Sequence, residues 1–299
     1  MLNSRSVIPF LAALALFSGV CSTPAAESKQ ADWTYLDNGQ VRLGVKKTSG
    51  ACIGYFSQSG SERNLLNHWD QGRFIQQSYY GSKDGSMWAD KPWRWNPVQG
   101  GDYKGHPAKL LNLMASRTTL YAKSEGIHWA SGTPLPEVIL EQWITLTGRL
   151  AHVRFRMTYS GTNSHPKCDQ EVPAFFVEPD LKTLVLYDGA RPWTGGAPTR
   201  SQPGWPNESR RMAENWAAYV DKDDFGVGGY VPVATNLTCY RFGDDQREHG
   251  SCSYFAPLVR FAITPSFKFE YDLYLALGTT DEIRKTFSAI HEASMKGKP

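Results

Sequence analysis

Residues 68–103 combine aromatic rings with amides, guanidinium groups and carboxylates. The stretch holds eight of the chain's 10 Trp, 14 Tyr and 14 Phe residues, together with four basic and four acidic side chains. A core strand is not built in this way, because each buried amide or guanidinium would need its own partner. Flat apolar rings beside groups that form paired hydrogen bonds suit a sugar. The stretch predicts a carbohydrate-binding groove; the alternative is a large ordered loop whose tryptophans plug the end of a sheet.

The predicted groove residues lie on one strand and on the loop that follows it. Alternation along residues 73–80 gives two faces, neither of them wholly apolar, so one face is expected to line the groove. A second aromatic loop, residues 189–216, is predicted to supply the opposite wall through Arg191 and Trp193. The residues predicted to bind substrate on the first wall are Arg73, Gln76, Gln77, Tyr79, Tyr80, Trp93, Arg94, Trp95, Asn96 and Gln99.

Two carboxylates are candidates for hydrolysis of a glycosidic bond. Such a reaction needs one acid and one base or nucleophile on opposite sides of the bond. Asp70 opens the aromatic stretch, and Glu171 lies beside a glutamine and a proline at the start of a predicted strand. The simpler interpretation of Asp70 is that it pairs with Arg73 and caps a turn.

Elimination at a uronic acid would use other residues of the same stretch. A lyase needs a base for the proton next to the sugar carboxylate, and a cation or amide that neutralises that carboxylate. Tyr79, Tyr80 and His106 are the candidate bases, although a lone histidine is more often structural. Candidate neutralising groups are Arg73, Arg94, Asn96 and Gln99.

Several other function classes are not indicated. The sequence has no G-x-S-x-G elbow, no P-loop, no G-x-G-x-x-G before a helix and no H-E-x-x-H. Its seven histidines are scattered without metal-ligand spacing, so neither a metal nor a cofactor is predicted. The formal net charge is only +3, without a basic run, and nucleic acid is not a predicted partner.

The pattern of alternation predicts an all-β chain. About twelve strands can be placed, including a long hairpin over 137–147 and 150–159 with one apolar and one wet face, typical of an antiparallel sheet. No strand–helix–strand alternation indicates a parallel sheet. One helix is predicted over 280–296, where Thr279 and Glu282 form a capping box.

The N-terminus resembles an export signal. Arg5 precedes an almost wholly apolar run over 7–20, which is too short to span a membrane. Residues 1–26 are the predicted signal peptide, residues 27–299 form a single predicted domain, and no transmembrane segment is predicted. The expected location is outside the cell or in the periplasm or envelope, with a lipid anchor at Cys21 as an alternative.

Four further cysteines would meet an oxidising environment. An even number in an exported chain predicts two disulfides. Cys239 and Cys252 flank a polar loop that they could close, and Cys52 with Cys168 follows by elimination. The alternative is four free, buried thiols.

The first strands resemble a known fold. The segment VRLGVKKTSGACIGYFSQSGSERNLLNHWDQGR, with Gly50 and Ile53 in the first hairpin and then Asn64, Leu65 and Leu66, is similar to the start of the galactose mutarotase-like supersandwich. The resemblance implies two large antiparallel sheets, a fold used by sugar epimerases, polysaccharide lyases, and parts of glycoside hydrolases and transferases. The catalytic His and Glu of mutarotases find no counterpart in this sequence, so that activity is not implied.

Together these observations predict a secreted β-sandwich with one C-terminal α-helix that binds carbohydrate across a concave face. The first hypothesis is an enzyme that cleaves a poly- or oligosaccharide, as a hydrolase or a lyase. The alternatives are a non-catalytic carbohydrate-binding protein and a structural envelope protein whose aromatic loops contact a partner protein.

Overall fold

A computed structural model describes residues 31–247 and 250–296 of the chain. The predicted signal peptide and Cys21 lie outside these residues. The described part consists of β-strands, a short 3-10 turn over Lys47–Ser49 and one α-helix. The prediction of an all-β chain with a C-terminal helix is confirmed, although the strands are more numerous than expected.

The first half of the chain contributes ten strands. They are β1 (Trp33–Asp37), β2 (Val41–Lys46), β3 (Cys52–Gln58), β4 (Ile75–Ser78), β5 (Met87–Trp88), β6 (Lys91–Pro92), β7 (Pro97–Val98), β8 (Leu110–Ala115), β9 (Thr119–His128) and β10 (Pro134–Thr147). The second half contributes β11 (Leu150–Tyr159), β12 (His165–Val177), β13 (Thr183–Leu186), β14 (Thr199–Ser201), β15 (Glu208–Arg211), β16 (Trp216–Val220), β17 (Phe225–Tyr230), β18 (Asn236–Phe242), β19 (Cys252–Ile263), β20 (Lys268–Thr279) and helix α1 (Thr280–Lys296).

All the strand pairs are antiparallel and form two large sheets. Sheet I runs in the order β8-β9-β10-β11-β20-β17-β16-β13-β14. Sheet II runs in the order β1-β2-β3-β4-β12-β19-β18-β15. The short strand β7 pairs with both β4 and β9 and so links the sheets, while β5 and β6 form a separate ribbon. This topology is the predicted antiparallel sandwich.

The hydrophobic core lies between the two sheets. Leu140, Ile144, Val153 and Phe155 of the predicted β10–β11 hairpin are buried there, as period-two alternation requires. Phe175 of sheet II and Leu273 of sheet I belong to the same buried cluster. A Cβ placed on Gly229 of β17 would lie 2.8 Å from the Phe175 ring, so this glycine leaves room for that ring.

Helix α1 begins as the sequence predicts. The backbone N–H of Thr279 donates to Glu282 Oε2 at 2.9 Å, and the N–H of Glu282 donates to Thr279 Oγ1 at 3.3 Å. These two bonds are the reciprocal pair of a capping box. Ile283 and Phe287 are buried in a second apolar cluster with Trp216 on the outer face of sheet I, so the helix covers one end of that face.

Neither predicted disulfide is present. Cys52, Cys168, Cys239 and Cys252 are all free thiols. In the β18–β19 pairing, Cys239 lies opposite Phe255 while Cys252 lies opposite Phe242. A disulfide needs its two Cα atoms close together with the side chains turned toward each other, and this register separates the pair along the strands. All four thiols are therefore free, as the alternative predicts; three of them are buried, and Cys168 is partly exposed.

Candidate functional site

Glu171 lies on the outer face of sheet II, where three strands meet. In the register of β12 it is opposite Ser78 of β4 on one side and opposite Leu258 of β19 on the other. Both pairings are irregular immediately after Glu171, and such bulges change the direction of neighbouring side chains. Val172, the next residue, is buried in the core between the sheets. Glu171 therefore directs its carboxyl away from the core.

Three hydroxyl groups surround this carboxyl. Tyr254 of β19 donates a hydrogen bond to Glu171 Oε1 at 2.5 Å, and the hydroxyls of Ser78 and Tyr80 are also hydrogen-bonded to it. Burial raises the pKa of Glu171 above the ordinary glutamate value, and the three hydrogen bonds only partly offset that effect. A raised pKa brings the carboxyl closer to the pH range in which it can both take up and release a proton, and such groups are candidates for a functional site. We call Glu171, Ser78, Tyr80 and Tyr254 the carboxyl cluster.

The two tyrosines of the cluster are proton donors. Burial is the main cause that raises the pKa of Tyr80 and of Tyr254, and the neighbouring negative charge of Glu171 raises both further. Each phenol therefore stays protonated at neutral pH. The cluster places one proton acceptor, Glu171, in direct contact with two proton donors.

A row of aromatic rings continues from the carboxyl cluster toward solvent. Tyr254 packs against Phe176 and Tyr240, each with a ring-centroid distance of 4.6 Å. Trp205 follows, with its ring 4.9 Å from that of Tyr240 and 5.6 Å from that of Phe242. Trp205 is 56% exposed and Phe242 47% exposed. We call these five residues the aromatic platform: Tyr254 and Phe176 are its buried part, and Trp205 and Phe242 are the exposed rings on which a sugar could stack.

Two guanidinium groups flank this surface. Arg94 lies over the ring of Tyr80 at 5.9 Å. At the other end, Arg73 lies 5.8 Å from the ring of Phe242 and donates a hydrogen bond to the Gly250 carbonyl. Its Nε is 3.5 Å from Asp70 Oδ2. The region thus has a cation at each end and a second carboxylate, Asp70, beside one of them.

Five of the residues predicted from the sequence therefore share one surface: Asp70, Arg73, Tyr80, Arg94 and Glu171. The charges of Arg73, Glu171 and Asp70 all act on Tyr240, whose pKa is raised first of all by burial. The pairing of Asp70 with Arg73 matches the simpler interpretation of Asp70, and Asp70 Oδ1 also accepts the Gly72 N–H at 2.9 Å, as in a turn cap.

Another six predicted residues lie in the interior. The amides of Gln77, Asn96 and Gln99 donate to the backbone carbonyls of Glu141, Tyr79 and Gly50, at 2.7–3.0 Å. The set of buried side chains is Gln76, Gln77, Tyr79, Trp95, Asn96 and Gln99. Tyr79 donates to Gln77 Oε1 at 2.9 Å. Trp95 stacks on His165 with centroids 3.9 Å apart, so this tryptophan fills the interior, as the loop-plug alternative predicts.

His106 and Trp93 belong to the neighbouring loop region. His106 Nδ1 lies 2.7 Å from Asp102 Oδ2, and Trp93 packs against Trp88 and Trp129 with centroids 5.1 and 5.4 Å apart. A methyl group placed on Gly72 would lie 3.1 Å from Trp129 Nε1 and 3.2 Å from Asp70 Oδ1. This tryptophan cluster therefore borders the Asp70 end of the candidate site.

Arg191 and Trp193, the residues predicted for the opposite wall of the groove, lie away from the carboxyl cluster. Trp193 stacks on His291 of α1 at 4.4 Å and meets Tyr230 of sheet I edge-on at 5.9 Å. Its backbone N–H donates to Glu214. The second aromatic loop thus packs against the helix side of sheet I, and Arg191 is exposed there. Within the described residues, these two are not brought to the carboxyl cluster.

Sequence reasoning missed Tyr240, Phe242, Tyr254 and Trp205. The run over 254–263 is mainly apolar and resembles an interior strand, yet Tyr254 and Ala256 face outward. Thr238, Tyr240 and Phe242 alternate along β18 with Leu237 and Cys239, which are buried in the core, and this alternation was the available signal. What the sequence could not supply was the pairing that places β18 and β19 beside β12.

Among residues 31–247 and 250–296, no group of three or more His, Cys, Asp or Glu side chains could hold a metal ion. The described helix is neither long nor apolar enough to cross a bilayer.

Comparison with known proteins identifies the fold. The sequence matches no protein-family model and no curated protein. Among solved structures, a galactose mutarotase-like protein from Lactobacillus casei matches with a TM-score of 0.56 at 10% identity, over 82% of this chain and 100% of the other. A galactose mutarotase related enzyme from Lactobacillus acidophilus matches with a TM-score of 0.53 at 8% identity, over 83% and 98%. The chain therefore has the galactose mutarotase-like fold, as its first strands predict.

Proposed function

We propose that the protein is an exported carbohydrate-active enzyme that cleaves a poly- or oligosaccharide by proton transfer at Glu171. The observation that supports this most strongly is the carboxyl cluster itself: a glutamate of raised pKa, bonded to two protonated tyrosines, at the buried end of a row of aromatic rings that reaches the exposed Trp205 and Phe242. Structural neighbours related to sugars make a carbohydrate a reasonable substrate. Export follows from the predicted signal over 1–26.

Elimination is the reaction that this arrangement suits best. Ionised Glu171 would take the proton on the carbon next to a uronate carboxylate. The pair of electrons forms a carbon–carbon double bond as the glycosidic carbon–oxygen bond breaks, and the departing oxygen takes the phenolic proton of Tyr80 or Tyr254. The proton on Glu171 then returns to the tyrosinate through their hydrogen bond, which restores the site. Arg94 or Arg73 would neutralise the sugar carboxylate and so stabilise the charge that develops on it.

Hydrolysis is a second candidate because Asp70 shares the surface with Glu171. The two reactions differ in their products: only elimination leaves a conjugated double bond that absorbs ultraviolet light. Purified protein should be incubated with uronate and neutral polysaccharides while reducing ends and ultraviolet absorbance are both followed.

A matched pair of variants tests the role of Glu171. Glu171→Gln should lower turnover by about 10²-fold or more, the usual effect of losing a general base. Glu62→Gln changes an exposed glutamate in the same way and should leave turnover unchanged. If the wild type binds glycans but releases no product from any of them, the protein is a binding module. Product formation that survives in Glu171→Gln would place the chemistry elsewhere.

A further inference from the structure

The outer face of sheet I carries a cavity, formed by the hairpin of β10 and β11. Its volume is about 410 Å³, and it is lined by Trp143, Thr145, His152, Arg154 and Arg156. Pockets that take small ligands have volumes of roughly 300–1,000 Å³. All five side chains alternate with core residues along their strands, so they belong to the face opposite the core. None of them belongs to the carboxyl cluster or the aromatic platform.

Trp143 forms a rigid apolar wall of this cavity. Its ring packs on that of Tyr121 with centroids 5.2 Å apart, and the guanidinium carbon of Arg156 lies 4.6 Å from its centroid. These two contacts order the ring before any ligand arrives. A wall that is already ordered loses little side-chain entropy on binding.

The polar groups of the cavity are also held in place by carboxylates of the adjacent strand. Arg154 Nε and His152 Nε2 lie 3.1 and 2.8 Å from Asp272 Oδ1, and Arg156 Nε lies 2.7 Å from Glu270 Oε1. Asp272 and Glu270 are on the adjacent strand β20 and are not among the residues that line the cavity. Within residues 31–247 and 250–296, the Arg154 guanidinium uses two of its five N–H groups, both bonded to Asp272. Donors therefore remain on a guanidinium whose orientation is fixed.

The charge balance indicates the class of ligand. The two arginines are matched by Asp272, Glu270 and Glu141, the last of which lies 3.5 Å from Arg156 Nη1. With the positive charge compensated, the cavity offers hydrogen-bond donors and a flat ring rather than a strong electrostatic field. A pyranose ring has the complementary features: an apolar edge for Trp143 and hydroxyl oxygens that accept from Arg154 and Arg156.

We infer that this cavity is a second sugar-binding site, on the opposite sheet from the carboxyl cluster. It is independent of the proposed reaction, because a binding-only protein could use it equally well. Its recognition rests on hydroxyl groups, so we expect oligosaccharide binding that changes little with salt concentration.

The test counts binding sites by titration calorimetry. Glu171→Gln protein is used so that no substrate is consumed, and the probes are maltohexaose, cellohexaose, xylohexaose, oligogalacturonate and oligoguluronate. At least one probe should bind with saturation and protect residues 141–156 from hydrogen exchange. Adding Arg154→Ala should weaken that binding event by about tenfold or more, the effect of losing a charge-assisted hydrogen bond. The neutral and uronate probes together show which sugars the site accepts.

Two further variants keep the test independent of folding. Thr145→Phe fills the cavity from an exposed strand position without removing an ion pair, and it should abolish the same binding event. Arg149→Ala removes an exposed arginine in the turn of the same hairpin, bonded to Glu282 and outside the cavity, and it should have no effect. The inference is overturned if no probe binds, if Arg154→Ala and Thr145→Phe bind as tightly as the parent, or if moderate salt abolishes binding. Turnover of the Glu171→Gln protein is measured separately and bears only on the proposed reaction. Binding at the cavity does not depend on its outcome.

Discussion

Tyr254 and Glu171 are 83 positions apart in the chain, yet the Tyr254 hydroxyl donates to the Glu171 carboxyl at 2.5 Å. The contact exists because β19 pairs with β12, which places Tyr254 opposite Phe176 and brings its ring over the bulge after Glu171. This one bond connects Glu171, the proposed acid–base residue, with the aromatic platform. The proposed chemistry and the proposed binding surface are therefore parts of the same strand pairing.

Removing this bond should shift the pH dependence of turnover. The Tyr254 hydroxyl is the largest of the contributions that lower the pKa of Glu171 against the effect of burial. Tyr254→Phe should therefore raise that pKa further. If ionised Glu171 is the base, the limb of the pH–rate profile on which activity rises with pH should move to higher pH, with turnover at low pH reduced.

Tyr240→Phe is the matched control for that measurement. Tyr240 is a neighbouring ring of the platform, 4.6 Å from Tyr254, and its hydroxyl is not among the groups bonded to Glu171. Its profile should keep the wild-type limb. An unshifted limb in Tyr254→Phe would show that Glu171 does not control the rate.

Two tryptophans should respond in opposite ways to truncation. Trp205 is 56% exposed at the end of the platform, so Trp205→Ala should weaken glycan binding several-fold and leave the melting temperature nearly unchanged. Trp95 is 6% exposed and stacked on His165, so Trp95→Ala should cost about 3–5 kcal/mol of the free energy of unfolding. Binding titrations and chemical denaturation of both variants measure the contrast. A destabilised Trp205→Ala with normal binding would assign Trp205 to packing.

The difference between these two tryptophans shows which features of the structure can be predicted from the sequence and which cannot. Alternation and the capping box at Thr279 depend on neighbours in the chain, and they predicted the hairpin of β10 and β11 and the start of α1. Density of aromatic and polar residues also predicted the region of the site. The density of such residues could not distinguish the buried Trp95 from an exposed tryptophan. Trp95 is buried because its ring stacks on His165 of β12, which is 70 positions away in the chain. Likewise, the sequence could not predict that Tyr254 contacts Glu171, because that contact depends on the pairing of β19 with β12.

The cysteines yield a direct chemical prediction. Burial raises the pKa of Cys239 and of Cys252 to about 11, which leaves little thiolate to react at neutral pH. Both thiols should therefore resist alkylation in the folded protein and react fully in denaturant. Mass spectrometry of alkylated protein from an oxidising compartment counts the cysteines that react in the folded and in the denatured state. If cysteines remain unalkylated in denaturant without reductant, and react after reduction, the disulfide hypothesis would be correct.

Glu214 should contribute stability with the opposite pH dependence to Glu171. Burial opposes ionisation of Glu214, but hydrogen bonds from Arg284, from the Trp216 indole and from the Trp193 N–H outweigh it, so the pKa lies below the ordinary value. A lowered pKa means that the stabilisation is complete above the unfolded-state pKa and is lost as pH falls through the folded-state pKa. The raised pKa of Glu171 has the reverse sign: its contribution is present at low pH and is lost as pH rises through the folded-state value.

Arg284→Ala tests the structural role of this pair. Arg284 Nη2 and Nε lie 2.6 and 2.9 Å from the two carboxylate oxygens of Glu214, which is fully buried. Losing the partner should cost about 3–5 kcal/mol, because a buried charge is left uncompensated. Lys285→Ala, an exposed change one position along α1, should cost little. Denaturation measured from acid to neutral pH should show the largest deficit of Arg284→Ala near neutrality, narrowing as Glu214 is protonated. A deficit that does not change with pH would mean that Arg284 stabilises α1 by packing rather than by its charge.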